Sequence, residues 1–180
     1  MLKRPELTRQ WFDNGDFEMW DGTDLFGWVL EPGTGTITKN TNAAYFTSGT
    51  SSVGLARTST GVMRIYQTRR DDTLQGKWMR LRFAAIASEN VTDGLAINVY
   101  DYLPSKQVYQ ADGETLWAGD KTSRTKTWDA TTSFQWFEFL FKIATDGGQI
   151  EVLLYNQEVG SPATWELYLD AFSLIGPIYP

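Results

Sequence analysis

Every second residue from Met79 to Ala85 is apolar, and Trp78, Arg80 and Arg82 alternate with them on the other side. The pattern returns with Phe137, Phe139, Phe141 and Ile143 set against Trp136, Glu138 and Lys142, and again with Ile150, Val152 and Leu154. A period of two places one set of side chains on a core and the other toward water, so these runs predict half-buried antiparallel strands. Between the runs stand turn-forming stretches: "DDTLQGK", "TDG" before "LAINVYD", "TDGG" before "QIEVLLYN", and "GSPAT" before "WELYLDAFSLIG". Glycine supplies the positive φ that tight connections need. About ten such strands with no helical period predict an all-β chain folded as an antiparallel β-sandwich. The polar segment 111–133 reads as a long loop or a hairpin.

A chain of 180 residues can bury a core without disulfide or metal support. Eight Trp, eight Tyr and ten Phe are many for this length, and the surplus over what a core holds points to a contact surface. The chain has neither cysteine nor histidine. That removes thiolate nucleophiles, Cys/His zinc sites and every mechanism that needs a histidine base. A net charge of −6 argues against nucleic acid as a partner. The first residues, "MLKRPELTRQWFDNG", show no secretory pattern, and no apolar run is long enough to span a bilayer, so synthesis in a cytoplasm and no membrane partner are expected.

Within "NGDFEMWDG", Asn14-Gly15 predicts a turn, with Phe17 and Met19 on one side of a first short strand and Asp16, Glu18 and Trp20 on the other. Trp28, after Gly27, is expected to pack across the sandwich. Residues 1–13 read as an arm, because Pro5 and mixed charges break any pattern. Leu2, Trp11 and Phe12 on that arm are candidate assembly anchors; the competing reading has Trp11 and Phe12 padding the first strand of their own domain.

The order "NGDFEMWDG", "FGW", "TSGTSSVGLA", "MRIYQT", "LQGKWMRLRFAAIAS", "TWDATTSFQWFEFLFKI", "WELYLDAFSLI" resembles the jelly-roll carbohydrate-binding modules over residues 14–175. The shared habits are N-G-x-F-E, G-W, S-G-x-x-S, G-K-x-x-x-L-x-F and a final D-x-x-x-L. The opening "NGDFE-x-W" also looks like domains of bacteriophage decoration, fibre and tail proteins. The resemblance implies a jelly-roll domain over 14–180. It also implies a structural calcium tying the first strand to the last through Glu18 and Asp170, unless those carboxylates bond nearby turn amides instead. Saccharide binding is implied for exposed aromatics, with Trp20, Tyr102, Trp117 and Trp128 as candidates; the alternative for these rings is packing under a loop or at a subunit interface.

No catalytic arrangement is legible. Asp71-Asp72 is the sort of carboxylate pair expected by chance among 22 acidic residues, and Arg69-Arg70 reads as a solvated turn. The expected function is a noncatalytic structural protein of a phage virion, a capsid decoration protein first and a tail or fibre protein binding host glycans second. Its expected partners are capsid or tail proteins, other copies of itself and host polysaccharide. The competing readings are an extracellular carbohydrate-binding module of a secreted glycoside hydrolase and a bacterial adhesin domain.

Overall fold

The computed structural model describes residues 9–31, 35–57, 63–101, 125–145, 149–156 and 165–178. In chain order the strands are β1 (Arg9–Gln10), β2 (Trp20–Asp21), β3 (Asp24–Leu25), β4 (Val29–Leu30), β5 (Gly35–Asn40), β6 (Ser52–Arg57), β7 (Met63–Arg70), β8 (Trp78–Ala87), β9 (Val91–Asp101), β10 (Thr125–Ala130), β11 (Gln135–Lys142), β12 (Gln149–Asn156) and β13 (Glu166–Ile178). Two single 3₁₀ turns, Ala43–Tyr45 and Asp72–Leu74, are the helical elements among the described residues.

The strands form a sandwich of two antiparallel sheets. The first has the order β11-β8-β13-β6-β5, with β1 added beside the end of β13; the second has the order β10-β9-β12-β7-β4. The chain changes sheet between β6 and β7, β7 and β8, β8 and β9, and again at each step from β10 to β13. This repeated crossing is the jelly-roll topology that the motif order implies.

Period-two alternation assigned the faces correctly where the strands are long. Met79, Leu81 and Phe83 of β8 are fully buried, as are Ile150, Val152 and Leu154 of β12 and Phe141 of β11. Each such side chain contributes about 1.5–3 kcal/mol by leaving water. The aromatics form a continuous core: Phe12 stacks on Phe172 at 5.7 Å, Trp28 meets Phe172 edge-on at 5.0 Å, and Phe83 lies 5.0 Å from Phe137.

Three expectations are corrected by the fold. "TDG" is not a turn between strands but a bulge within β9: Val91 pairs with Ala130 and Leu95 with Trp128, leaving extra residues at 92–94, and Asp93 takes φ 54°. The stretch after Asn14 is not a strand. Phe17 has φ 55°, so Phe17 and Met19 do not share a face; Phe17 is fully buried and Met19 is 49% exposed.

The third correction concerns the arm. Arg9 and Gln10 pair with Gly176 and Ile175 of β13, and Trp11 N–H donates to Leu174 O at 2.8 Å. Trp11 and Phe12 are buried members of the domain's own core, and the Trp11 indole donates to Gly176 O at 2.9 Å. The sandwich therefore includes residues 9–13; Leu2 lies outside the described residues. Phe12→Ala is expected to cost about 3–5 kcal/mol, the usual range for emptying a buried aromatic site. Chemical denaturation measures this, and an anchor reserved for a partner would leave the unfolding midpoint unchanged.

Candidate functional site

The side chain of Asn14 shapes the segment that leads to the first candidate. Its amide donates to Met19 O and Phe26 O, both at 2.9 Å, and its carbonyl accepts from Met19 N–H at 2.9 Å. Asn tolerates the left-handed backbone found here, φ 49°. The turn projects Glu18 toward the loop 47–51, "TSGTS".

Glu18 accepts hydrogen bonds from Thr50 N–H and Oγ1, both at 2.6 Å, and from Ser51 N–H at 2.9 Å, with Ser51 Oγ at 3.2 Å. Asp170, fully buried on β13, grips the other end of the same loop. One of its oxygens accepts from Thr47 N–H and Oγ1, both at 2.6 Å, and the other from Ala171 N–H at 2.7 Å. Gly49 is required between them: it has φ 70°, and a Cβ there would come within 2.2 Å of Glu18 Oε1. Burial disfavours the charged form of Glu18, but the Thr50 and Ser51 hydrogen bonds together outweigh it and hold the carboxyl below its ordinary value of 4.5.

These two carboxylates join the first and last parts of the domain, as the resemblance implies, but through protein donors. Their oxygens face N–H and O–H groups, whose positive ends a cation would meet head-on. Among the described residues no three His, Cys, Asp or Glu side chains gather as a metal cage. The donor set does not fit calcium; it fits two anions satisfied by loop amides and hydroxyls.

The aromatic candidates fare differently. Trp20 is half-buried, with its indole donating to Phe17 O at 2.7 Å. Trp128 faces inward and packs on Phe137 and Phe139 at 5.4 and 5.2 Å. Tyr102 and Trp117 lie outside the described residues. Two aromatic rings stand open among the described residues, Phe26 at 56% exposure in the turn before Trp28 and Trp136 on a sheet face; Trp136 was not among the candidates although its place opposite Phe137 and Phe139 was legible. It is 50% exposed on the outer face of the first sheet, with the Arg82 guanidinium 4.3 Å from its ring centre. The outer face of the second sheet is closed at its middle, where Leu153, Tyr155 and Asn98 are buried.

The remaining charged pairs are structural. Asp71 caps the turn at 72–74, accepting from Thr73 Oγ1 at 2.6 Å and Thr73 N–H at 2.9 Å, and also receives Arg9 at 3.0 Å. Those bonds lower its carboxyl below the usual value of 3.8. Arg69 pairs with Asp13 and donates to Trp11 O, which pins the N-terminal segment rather than holding a free anion.

No family model matches the chain, and no curated protein matches it. Solved structures share its fold at low identity. Part of the enzymatically active domain of the bacteriophage CBA120 tailspike protein 4 superposes with a TM-score of 0.63 at 14% identity, over 92% of this chain and 21% of the tailspike chain. The chain thus spans about a fifth of that protein. A Stig cyclase from Fischerella sp. TAU gives 0.62 at 15% identity, covering 96% of this chain and all of that one. TmCBM61, solved with β-1,4-galactotriose, gives 0.56 at 15% identity, over 92% of this chain and 97% of that one. At such identities the likeness is one of fold, a carbohydrate-binding-module-like jelly roll.

Glu18→Gln is expected to destabilise the domain by about 1–3 kcal/mol near neutral pH, the range for a hydrogen-bonded charge. The folded carboxyl sits below its unfolded value, so its contribution is whole above that value and lost as pH falls through the folded one. The gap between wild type and variant, measured by thermal unfolding, should therefore close on acidification, and a chelator should leave the wild-type midpoint unmoved.

Proposed function

We propose that this domain is a noncatalytic saccharide-binding jelly roll carried on a phage particle, with Trp136 as its stacking platform. The observation that carries the reading is a half-exposed indole lying on a β-sheet face among polar side chains. Such a ring covers the apolar face of a sugar, while charged neighbours take its substituents. The chain folds Glu18, Asp71 and Asp170 into hydrogen-bonded structural roles, which leaves them unsuited to acid–base work. The likeness to a tailspike domain supports a place in the tail over a place as capsid decoration. A second reading, a module attached to a polysaccharide-degrading enzyme, is supported by the likeness to TmCBM61.

Trp136→Ala is expected to weaken polysaccharide binding about tenfold or more, since burying one large aromatic face contributes about 1.5–3 kcal/mol. The unfolding midpoint should stay near wild type, because the ring is half in water already. Affinity electrophoresis across a polysaccharide panel, with titration calorimetry on any binder, measures both. Unchanged affinity in the variant, or no binding to any polymer, overturns the reading; release of reducing ends from a bound polymer overturns its noncatalytic part.

A further inference from the structure

Around Trp136 the outer face of the first sheet carries an unusual charge pattern for an acidic chain. β8 and β11 pair so that Arg82 stands opposite Glu138, Arg80 opposite Leu140, and Trp78 opposite Lys142. On the other side of β8, Arg82 faces Ser173 and Arg80 faces Ile175. On β8 and β11, Arg80, Arg82 and Lys142 thus share this face with one carboxylate, Glu138, while the outward carboxylates of β13, Asp170 and Glu166, are engaged by Thr47 and Tyr168, in a protein whose net charge is −6.

Among the described residues these cations have no carboxylate paired to them. Arg9, Arg64 and Arg69 pair with Asp71, Glu31 and Asp13, whereas none of the three cations on this face forms an ion pair among the described residues. Arg82 does not engage Glu138 across the strand pair; its guanidinium turns over the Trp136 ring instead. The Nε of half-buried Arg80 is buried without a hydrogen-bond partner among the described residues. A guanidinium left in this state gains most from a planar, bidentate anion such as a carboxylate.

We infer that the saccharide bound at Trp136 is anionic, an acidic polysaccharide read by Arg82 and Arg80; this rests on the saccharide-binding reading above. A sugar stacked on the indole places its acidic substituent beside Arg82, which already lies against the ring. Arg80 follows two residues along the same strand face, about 7 Å away, within reach of a second acidic group on the same polymer. Lys142, one strand pair further, adds positive potential without fixed geometry.

The test uses the full chain against three probes: polygalacturonate, dextran sulfate and a neutral β-1,4-galactan. Tight binding to an anionic probe is expected, weakened at least tenfold by the double substitution Arg80→Gln/Arg82→Gln and by about 1 M salt, where the screening length falls to ~3 Å. Preference for polygalacturonate would assign the anion as a carboxylate, and preference for dextran sulfate as a sulfate. Arg82→Lys should retain the charge but lose the planar pairing, so it should rescue dextran sulfate binding better than polygalacturonate binding. The unfolding midpoints of the variants check that each is folded. Galactan bound as tightly as either anionic polymer, or a folded double variant with undiminished affinity for them, overturns the anionic assignment while leaving saccharide binding at Trp136 standing. If no probe binds and the wider panel is also negative, both conclusions fall.

Discussion

The domain depends on one irregularity in its last strand. β13 pairs with β8 so that Asp170 faces Ala84 and Ser173 faces Arg82: three steps on one strand against two on its partner. The extra residue is accommodated at Ala171, which takes φ 51°. This bulge lets Leu167 and Leu169 point into the core before it, and Phe172 and Leu174 after it, while Asp170 stays on the outer side. Without it, alternation would turn Phe172 and Leu174 to the surface. The same bulge delivers Asp170 to the loop 47–51 and frees Phe172 O and N–H for the N-terminal segment.

Around that bulge the two ends of the chain close on each other. Phe172 N–H donates to Gly15 O at 2.7 Å, and Gln10 brackets the strand by accepting from Leu174 N–H and donating to Phe172 O. Gly15 has no alternative, because a Cβ would fall 1.9 Å from Phe172 O. Phe12, Trp28 and Phe83 gather on the Phe172 ring, so four core aromatics meet where the N-terminal segment joins the last strand. Glu18 and Asp170 then lock the intervening loop from both ends. A carboxylate surrounded by amide and hydroxyl donors does the work that a bridging cation could do, since each donor supplies a fraction of positive charge at short range. The two outer faces that result are unlike: one is closed over buried Leu153, Tyr155 and Asn98, and the other displays Trp136 with its cations.

Much of this was legible in the residues. Strict alternation in β8, β11 and β12 assigned their inner and outer faces, because a strand has one period and the core accepts one set of side chains. Trp136, Arg80 and Arg82 were thereby placed outward together. The bulge also left a mark: in "WELYLDAFSLI" the apolar residues change parity between Leu169 and Phe172. That mark was the available signal for Asp170's special position. "TDG" misled because Asp tolerates the left-handed backbone in a bulge as well as in a turn, and here Asp93 rather than Gly94 takes the positive φ.

The sequence by itself determined the all-β class, the inward and outward sets on the long strands, and the exclusion of cysteine and histidine chemistry; that Glu18 and Asp170 share one task was implied by the resemblance alone, and there as calcium ligands. Only the tertiary structure decided that Trp11 and Phe12 belong to the core, that Trp20 and Trp128 are engaged internally, that loop amides and hydroxyls satisfy the two carboxylates, and that Trp136 remains open. The physical reason is range. Face and period are set by neighbours two residues apart, whereas the burial of Trp11 depends on Leu174 and Gly176, and the partners of Asp170 lie at Thr47, more than a hundred residues away. Local pattern carries no record of which distant strand will arrive to cover a ring or satisfy a charge.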